Sequence, residues 1–183
     1  MTWSRIARRI RVPLGFAFAA VFLWLARPTP LFLASSLILV MPGLWLRGYA
    51  SGYVKKNTEL TTTGPYAHTR NPLYLGSILI GLGFAVASRS VWVFVALVAL
   101  FGAIYWPVIR SEEAYLRSVF PAFEAYAVRV PRLIPRIVRG AEPALGQGKF
   151  SWTLYLKHRE YNAAMGAAGM YAALILKLVF VRW

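Results

Sequence analysis

Three stretches of this 183-residue chain concentrate the residue types that do chemistry. In the first, Gly64-Pro65-Tyr66 marks a turn, and Arg70-Asn71-Pro72-Leu73-Tyr74-Leu75-Gly76 opens an apolar run. Pro72 suits a first helical turn and Asn71 the position that caps it. A helix N-terminus beside an arginine is a ready carboxylate site, although the same residues also describe a plain helix start with a snorkelling arginine. The second stretch is Arg110-Ser111-Glu112-Glu113. Adjacent glutamates on a helix point about 100° apart, so one can face the interior while the other meets water. The third runs from Phe120-Pro121 to Val130-Pro131-Arg132-Leu133-Ile134-Pro135, and its prolines forbid one long helix. Arg129, Arg132, Arg136 and Arg139 recur there at three- and four-residue steps, the pattern of an interfacial segment that binds anionic lipid headgroups.

What the chain lacks narrows the chemistry. It has no Cys, no Asp and two distant histidines, His68 and His158, so it offers no thiolate nucleophile, disulfide or zinc-type ligand set, and no metal is expected. No phosphate-cradling Gly-x-x-x-x-Gly-Lys-Ser/Thr loop is present. Hydrophobic residues make up 58% and charged residues 15%, with a net charge of +15. A soluble nucleic-acid binder is charge-rich; a basic and apolar chain is a membrane protein with cationic loops.

The elements that position these residues are then membrane helices. Five candidate spans follow from uncharged runs: Val12–Ala26, Leu31–Leu46, Asn71–Ser88, Ser90–Ile109 and Tyr161–Val181, the last with Lys177 near its end. Pro42-Gly43 predicts a kink in the second and Pro107 one at the end of the fourth. Of the basic residues outside the spans, only Arg27, Arg89 and Arg182 fall on one side; the rest, and all six Glu, fall on the other. The positive-inside rule then gives a cytoplasmic N-terminus, an outside C-terminus, and chemistry on the cytoplasmic face of the membrane. The fold class is all-α and multi-pass, with a membrane core over residues 1–136 and a connector plus C-terminal helix over 137–183.

Taken in order, the motifs resemble those of the isoprenylcysteine carboxyl methyltransferase and phospholipid methyltransferase group, integral-membrane enzymes that use S-adenosylmethionine. The resemblance covers about residues 40–136 and rests on Leu60-Thr61-Thr62-Thr63-Gly64-Pro65-Tyr66, Arg70-Asn71-Pro72-Leu73-Tyr74-Leu75-Gly76, Glu112-Glu113 and Val130-Pro131-Arg132-Leu133-Ile134-Pro135. Asn71 stands where better-known members carry histidine, and Phe123 where tyrosine is usual. The resemblance implies that Arg70, Asn71, Pro72, Tyr74 and Gly76 line the cofactor pocket, together with Gly64 and Tyr66. It implies that Glu112 and Glu113 hold the cofactor's polar groups and that Leu60 offers backbone groups to its adenine, with Arg70 and Glu113 the residues most tied to catalysis.

Physical chemistry suits that cast. A guanidinium fits the cofactor's carboxylate, a glutamate its ribose diol or ammonium, and an aromatic face its sulfonium. Gly76 would admit the ligand close to the third span. The acceptor implied is lipophilic, favouring carboxylate O-methylation, with a phospholipid or amine N-methyltransferase as an alternative. An NADPH-dependent sterol-reductase-like enzyme and a non-catalytic membrane interaction protein, with Gly169 and Ala173 as a helix contact, are further alternatives. On the methyltransferase reading, Arg70→Ala and Glu113→Ala would abolish cofactor binding without unfolding the protein.

Overall fold

The computed structural model describes residues 3–55, 58–136 and 148–181. The chain is all-α in these residues: α1 Trp3–Leu25, α2 Pro30–Ser51, α3 Pro72–Ser88, α4 Val91–Leu100, α5 Trp106–Val119, α6 Phe123–Arg129, α7 Trp152–His158 and α8 Tyr161–Phe180. The side chains of Arg5, Arg8, Arg9 and Arg11, and Lys56, Arg139, Arg182 and the connector 137–147, lie outside the described residues. Three helices are long and apolar enough to cross a membrane: Pro30–Ser51, Val91–Val119 and Tyr161–Phe180. Gly15–Leu25 is the apolar part of α1, and Pro72–Ser88 is a shorter apolar helix of 17 residues. All five expected spans are therefore helices of an integral membrane protein.

Two boundaries differ from expectation. α1 begins at Trp3 and continues through Pro13, ahead of the expected Val12. The fourth span does not end near Ile109. It continues to Val119 through a π-helical turn, Phe101–Tyr105, placed just before Pro107. Proline withholds an N–H and its ring crowds the preceding turn; a widened π turn accommodates both without ending the helix. Glu112 and Glu113 consequently sit on a rigid continuation of a membrane helix. α2 likewise runs through Pro42.

α2 and α3 form the most extensive helix pair. Their contact is reciprocal and built on missing side chains. A Cβ on Gly43 would lie 2.8 Å from the Gly76 carbonyl oxygen, and one on Gly76 would lie 2.8 Å from that of Gly43. Two turns further along, a Cβ on Gly83 would lie 2.9 Å from the Ser36 oxygen. Small residues let backbones approach where lipid supplies no hydrophobic drive for helices to associate. Gly169, by contrast, faces nothing within 4 Å, so the small-residue contact inside the chain is not the one expected at α8.

The helices alternate in direction, which sorts the charges by end. At one end, Phe22, Ala26, Leu33, Ala85, Ala87, Val93 and Leu174 form a core cluster, the Arg27 amide donates to the Ser88 carbonyl (2.9 Å), and Lys177 donates to the carbonyls of Leu23 and Trp24 at the end of α1. At the other end lie the start of α3, the end of α5, the loop after α6 and the start of α8.

The glycine contact yields a test. Gly43→Ala should destabilise the fold by about 1–3 kcal/mol, since the added methyl meets backbone that cannot swing aside. Gly169→Ala should leave stability unchanged or slightly raised. Thermal unfolding in detergent distinguishes the two.

Candidate active site

The segment before α3 is held by the loop after α6, backbone to backbone. Pro131 has no N–H to offer, and its carbonyl accepts from the Arg70 amide (2.9 Å), while the Arg136 amide donates to the His68 carbonyl (2.9 Å). Thr69 is buried and its hydroxyl lies 3.1 Å from the carbonyls of Arg132 and Leu133. Tyr126 on α6 donates to the Tyr66 carbonyl at 2.7 Å. Leu60 packs against the buried Phe123, Tyr126 and Val130. Gly64 adopts φ +58°, and a Cβ there would strike the Tyr53 ring, so the turn before Pro65 requires glycine.

This frame delivers two arginines and an asparagine to one carboxylate. Glu113 is 3% exposed. Its Oε2 accepts from Arg132 Nε (3.0 Å) and Nη2 (2.8 Å), and Arg70 Nη1 stands 3.6 Å away. Its Oε1 accepts from Asn71 Nδ2 (3.1 Å), which also reaches the Arg132 carbonyl. Arg132 lies over the Trp106 ring at 5.1 Å. Two guanidiniums against one carboxylate leave a positive charge in excess. Arg70 Nε is buried and has no hydrogen-bond partner. Beside this cluster, exposed Glu112 accepts from the Tyr74 hydroxyl at 2.9 Å. The two glutamates thus split as helical geometry requires, one inward and one outward.

Of the expected site residues, the structure brings together Arg70, Asn71 and Glu113 as one cluster and Tyr74 and Glu112 as a pair. Pro72 is buried in the first turn of α3. Asn71 occupies the N-cap position, but its side chain makes no capping hydrogen bond because it is drawn to Glu113. Gly76 faces α2, where Arg47 Cγ lies 2.6 Å from a notional Cβ; its close approach is to a helix rather than to open space. Leu60 and Gly64 are engaged in the neighbouring packing described above.

Arg132, assigned from its spacing to a headgroup-binding segment, instead turns inward to Glu113. The signal was the Val-Pro-Arg motif, which carries it at a fixed place. A second ion pair had no local signal: Arg47 on α2 forks onto Glu160, with Nε–Oε2 and Nη2–Oε1 both 3.0 Å, across 113 residues. Arg47 also donates to Ser77 and to the Leu73 carbonyl (3.3 Å), binding α8 to the first turns of α3.

Burial pushes the phenols of Tyr66 and Tyr126 above the ordinary tyrosine range; Tyr126 adds to the rise at Tyr66, while Arg70 moderates that at Tyr126. Both stay protonated and able to donate. A groove of about 400 Å³ follows the outer side of the loop past Val130, Pro131, Ile134 and Arg136. Another, about 440 Å³, lies at the far end near Phe32, Val86 and Arg89, away from the site. Among the described residues, no group of three or more His, Cys, Asp or Glu could hold a metal ion.

The phospholipid methyltransferase family matches residues 31–122, half of the chain, from the first turn of α2 to beyond the end of α5. The cobalt-zinc-cadmium resistance protein CzcN of Cupriavidus metallidurans is 37% identical over 121 residues, 66% of this chain and 52% of that protein. The nickel-cobalt-cadmium resistance protein NccN of Alcaligenes xylosoxydans xylosoxydans is 40% identical over 94 residues, 51% of this chain and 43% of that protein. Protein-S-isoprenylcysteine O-methyltransferase of Schizosaccharomyces pombe is 37% identical over 90 residues, 45% of this chain and 36% of the yeast protein. The match spans about half or less of each relative's length. No solved structure matches the chain.

The geometry revises the mutational expectation. Glu113→Ala should not leave the fold intact: it strands two guanidiniums in a desolvated site and should cost on the order of 3 kcal/mol, against less for Glu113→Gln, as read by thermal unfolding. Alkali supplies a second test. Phenols whose folded pKa is raised contribute stability that is complete below about pH 10 and lost as pH climbs toward the folded value. Stability should therefore fall above pH 10, and Tyr126→Phe should flatten that fall in a pH-unfolding series.

Proposed function

Because the chain belongs to the phospholipid methyltransferase family, we propose that it transfers a methyl group from S-adenosylmethionine to a lipophilic acceptor taken from the bilayer. The observation that carries this reading is Arg70: a half-buried guanidinium with a buried, unpartnered Nε–H at the start of a membrane helix, beside a cluster with one positive charge to spare. Those groups fit the carboxylate of an amino-acid-like cofactor. The exposed Glu112–Tyr74 pair fits its ammonium or ribose hydroxyls. Asn71 and Pro72 fix the helix start that presents these groups.

When bound, the cofactor supplies a methyl group on a sulfonium. The protein's part is to hold and orient. Glu113 keeps Arg70 and Arg132 in place, and the buried phenols of Tyr66 and Tyr126 maintain a protonated, water-poor wall. Alignment in such a wall lowers the barrier by positioning, and exclusion of water favours charge neutralisation. A carboxylate acceptor requires no base, which agrees with the O-methyltransferase name of the yeast relative. For an amine acceptor, Glu112 is the accessible carboxylate to take the proton. The resistance names of the two bacterial relatives specify no acceptor. The site end faces the cytoplasm on this reading, and the C-terminus the outside, because the basic residues concentrate there.

Calorimetry on the purified protein tests the assignment. S-adenosylmethionine should bind the wild type. Arg70→Ala should weaken it by about 2 kcal/mol, roughly thirtyfold in Kd, while Arg117→Ala, a surface change, should not. Binding of NADPH in place of S-adenosylmethionine would sink the proposal.

A further inference from the structure

α7 takes no part in the site, and the family match ends before it. It is nonetheless fastened to the end of α2. The Ser151 amide donates to the Gly52 carbonyl (2.9 Å), and His158 Nδ1 lies 3.1 Å from the Ser51 carbonyl oxygen. The Phe150 ring fills the space left by the missing side chain of Gly52 and stacks on Tyr49 at 5.9 Å, which in turn stacks on Trp45. With its inner side so occupied, α7 turns Trp152 and Leu156 outward, 70% and 58% exposed. They stand four residues apart and therefore form one stripe along the helix. Lys149, Lys157 and Arg159 are exposed around it. The nearest acid, Glu160, is already forked by Arg47 and does not neutralise them.

Connectivity places this face. The spanning helix α8 opens at Tyr161, three residues after α7 ends. A short helix at the mouth of a spanning helix, with an apolar stripe, a tryptophan and a cationic border, has the composition of an element lying in the membrane–water boundary. We propose that α7 is an interfacial helix: Trp152 and Leu156 enter the headgroup–acyl boundary, and Lys149, Lys157 and Arg159 engage the phosphates of anionic lipids. The anchoring reaches the site side of the molecule through Gly148, which packs directly on Thr63, three residues before Tyr66.

The chain has no cysteine, so Leu156→Cys and Lys157→Cys each give a single attachment point for a nitroxide. In phosphatidylcholine proteoliposomes containing phosphatidylglycerol, oxygen should reach the label at 156 better than a water-soluble nickel chelate does, and the order should reverse at 157. Lys149→Gln with Lys157→Gln in the Leu156→Cys background should lower the ratio of membrane-seated to aqueous 156 label by about fivefold per cation. A label at 156 as aqueous as that at 157, with and without phosphatidylglycerol, overturns the proposal, and is the result expected of a face that docks a soluble protein. Brominated-lipid quenching of the native tryptophans provides a reading without labels: Trp152→Phe should remove a quenched component, and an unchanged quenching profile overturns the proposal as well. Neither readout depends on methyl transfer.

Discussion

A carboxylate withdrawn from water at the edge of a membrane must be met by charge and hydrogen bonds, and Glu113 sets that condition here. It is satisfied by Asn71, 42 residues before it, and Arg132, 19 residues after it, with Arg70 alongside. The partners come from two segments, Arg70 and Asn71 from the start of α3 and Arg132 from the loop after α6, so meeting the demand of one side chain fixes both relative to the end of α5. The desolvation of Glu113 makes the arrangement intolerant of a missing partner. The cluster is therefore a structural tie as well as the core of the proposed cofactor site.

The rest of the site end is arranged around this tie. Arg70 and Asn71 reach Glu113 because their backbone is laced to Pro131 and Arg136, and that lacing works because prolines in the loop leave carbonyls uncommitted. α3 can stand where it does because Gly43 and Gly76 let it lie against α2. The same contact carries the Arg47 stem across Gly76 to Glu160, which adds α8 to the assembly by a second paired charge. Packing and electrostatics thus share the same positions: the glycines set the distance between helices, and the ion pairs set their register.

Much of this was legible in the chain. Apolar run length gave five helices, and the alternation of cationic connections divided the charges between two ends. The 100° separation of adjacent helical residues anticipated that one glutamate of the pair would be buried and the other exposed. Local rules did not show what Asn71, Gly76 and Arg132 touch, or how the helix passes Pro107. Each rule was sound for an isolated segment; partners distant in sequence then drew Asn71 and Arg132 to Glu113 and set Gly76 against Gly43, while at Pro107 the adjacent π turn carries the helix onward. The Arg47–Glu160 pair had no local sign, because two ordinary charged residues 113 positions apart carry no spacing to read.

The sequence by itself determined an all-helical membrane chain, its helix order, its charge asymmetry and the residue types gathered at one end, because hydropathy, charge and proline act over a few residues. Only the tertiary structure decided which side chains meet. It chose Glu113 over Glu112 for the interior, turned Arg132 inward from its expected surface role, left Arg70 with a hydrogen to give, and set α7 with its tryptophan outward. Those choices depend on desolvation and close packing between segments far apart in the chain, which no local pattern records.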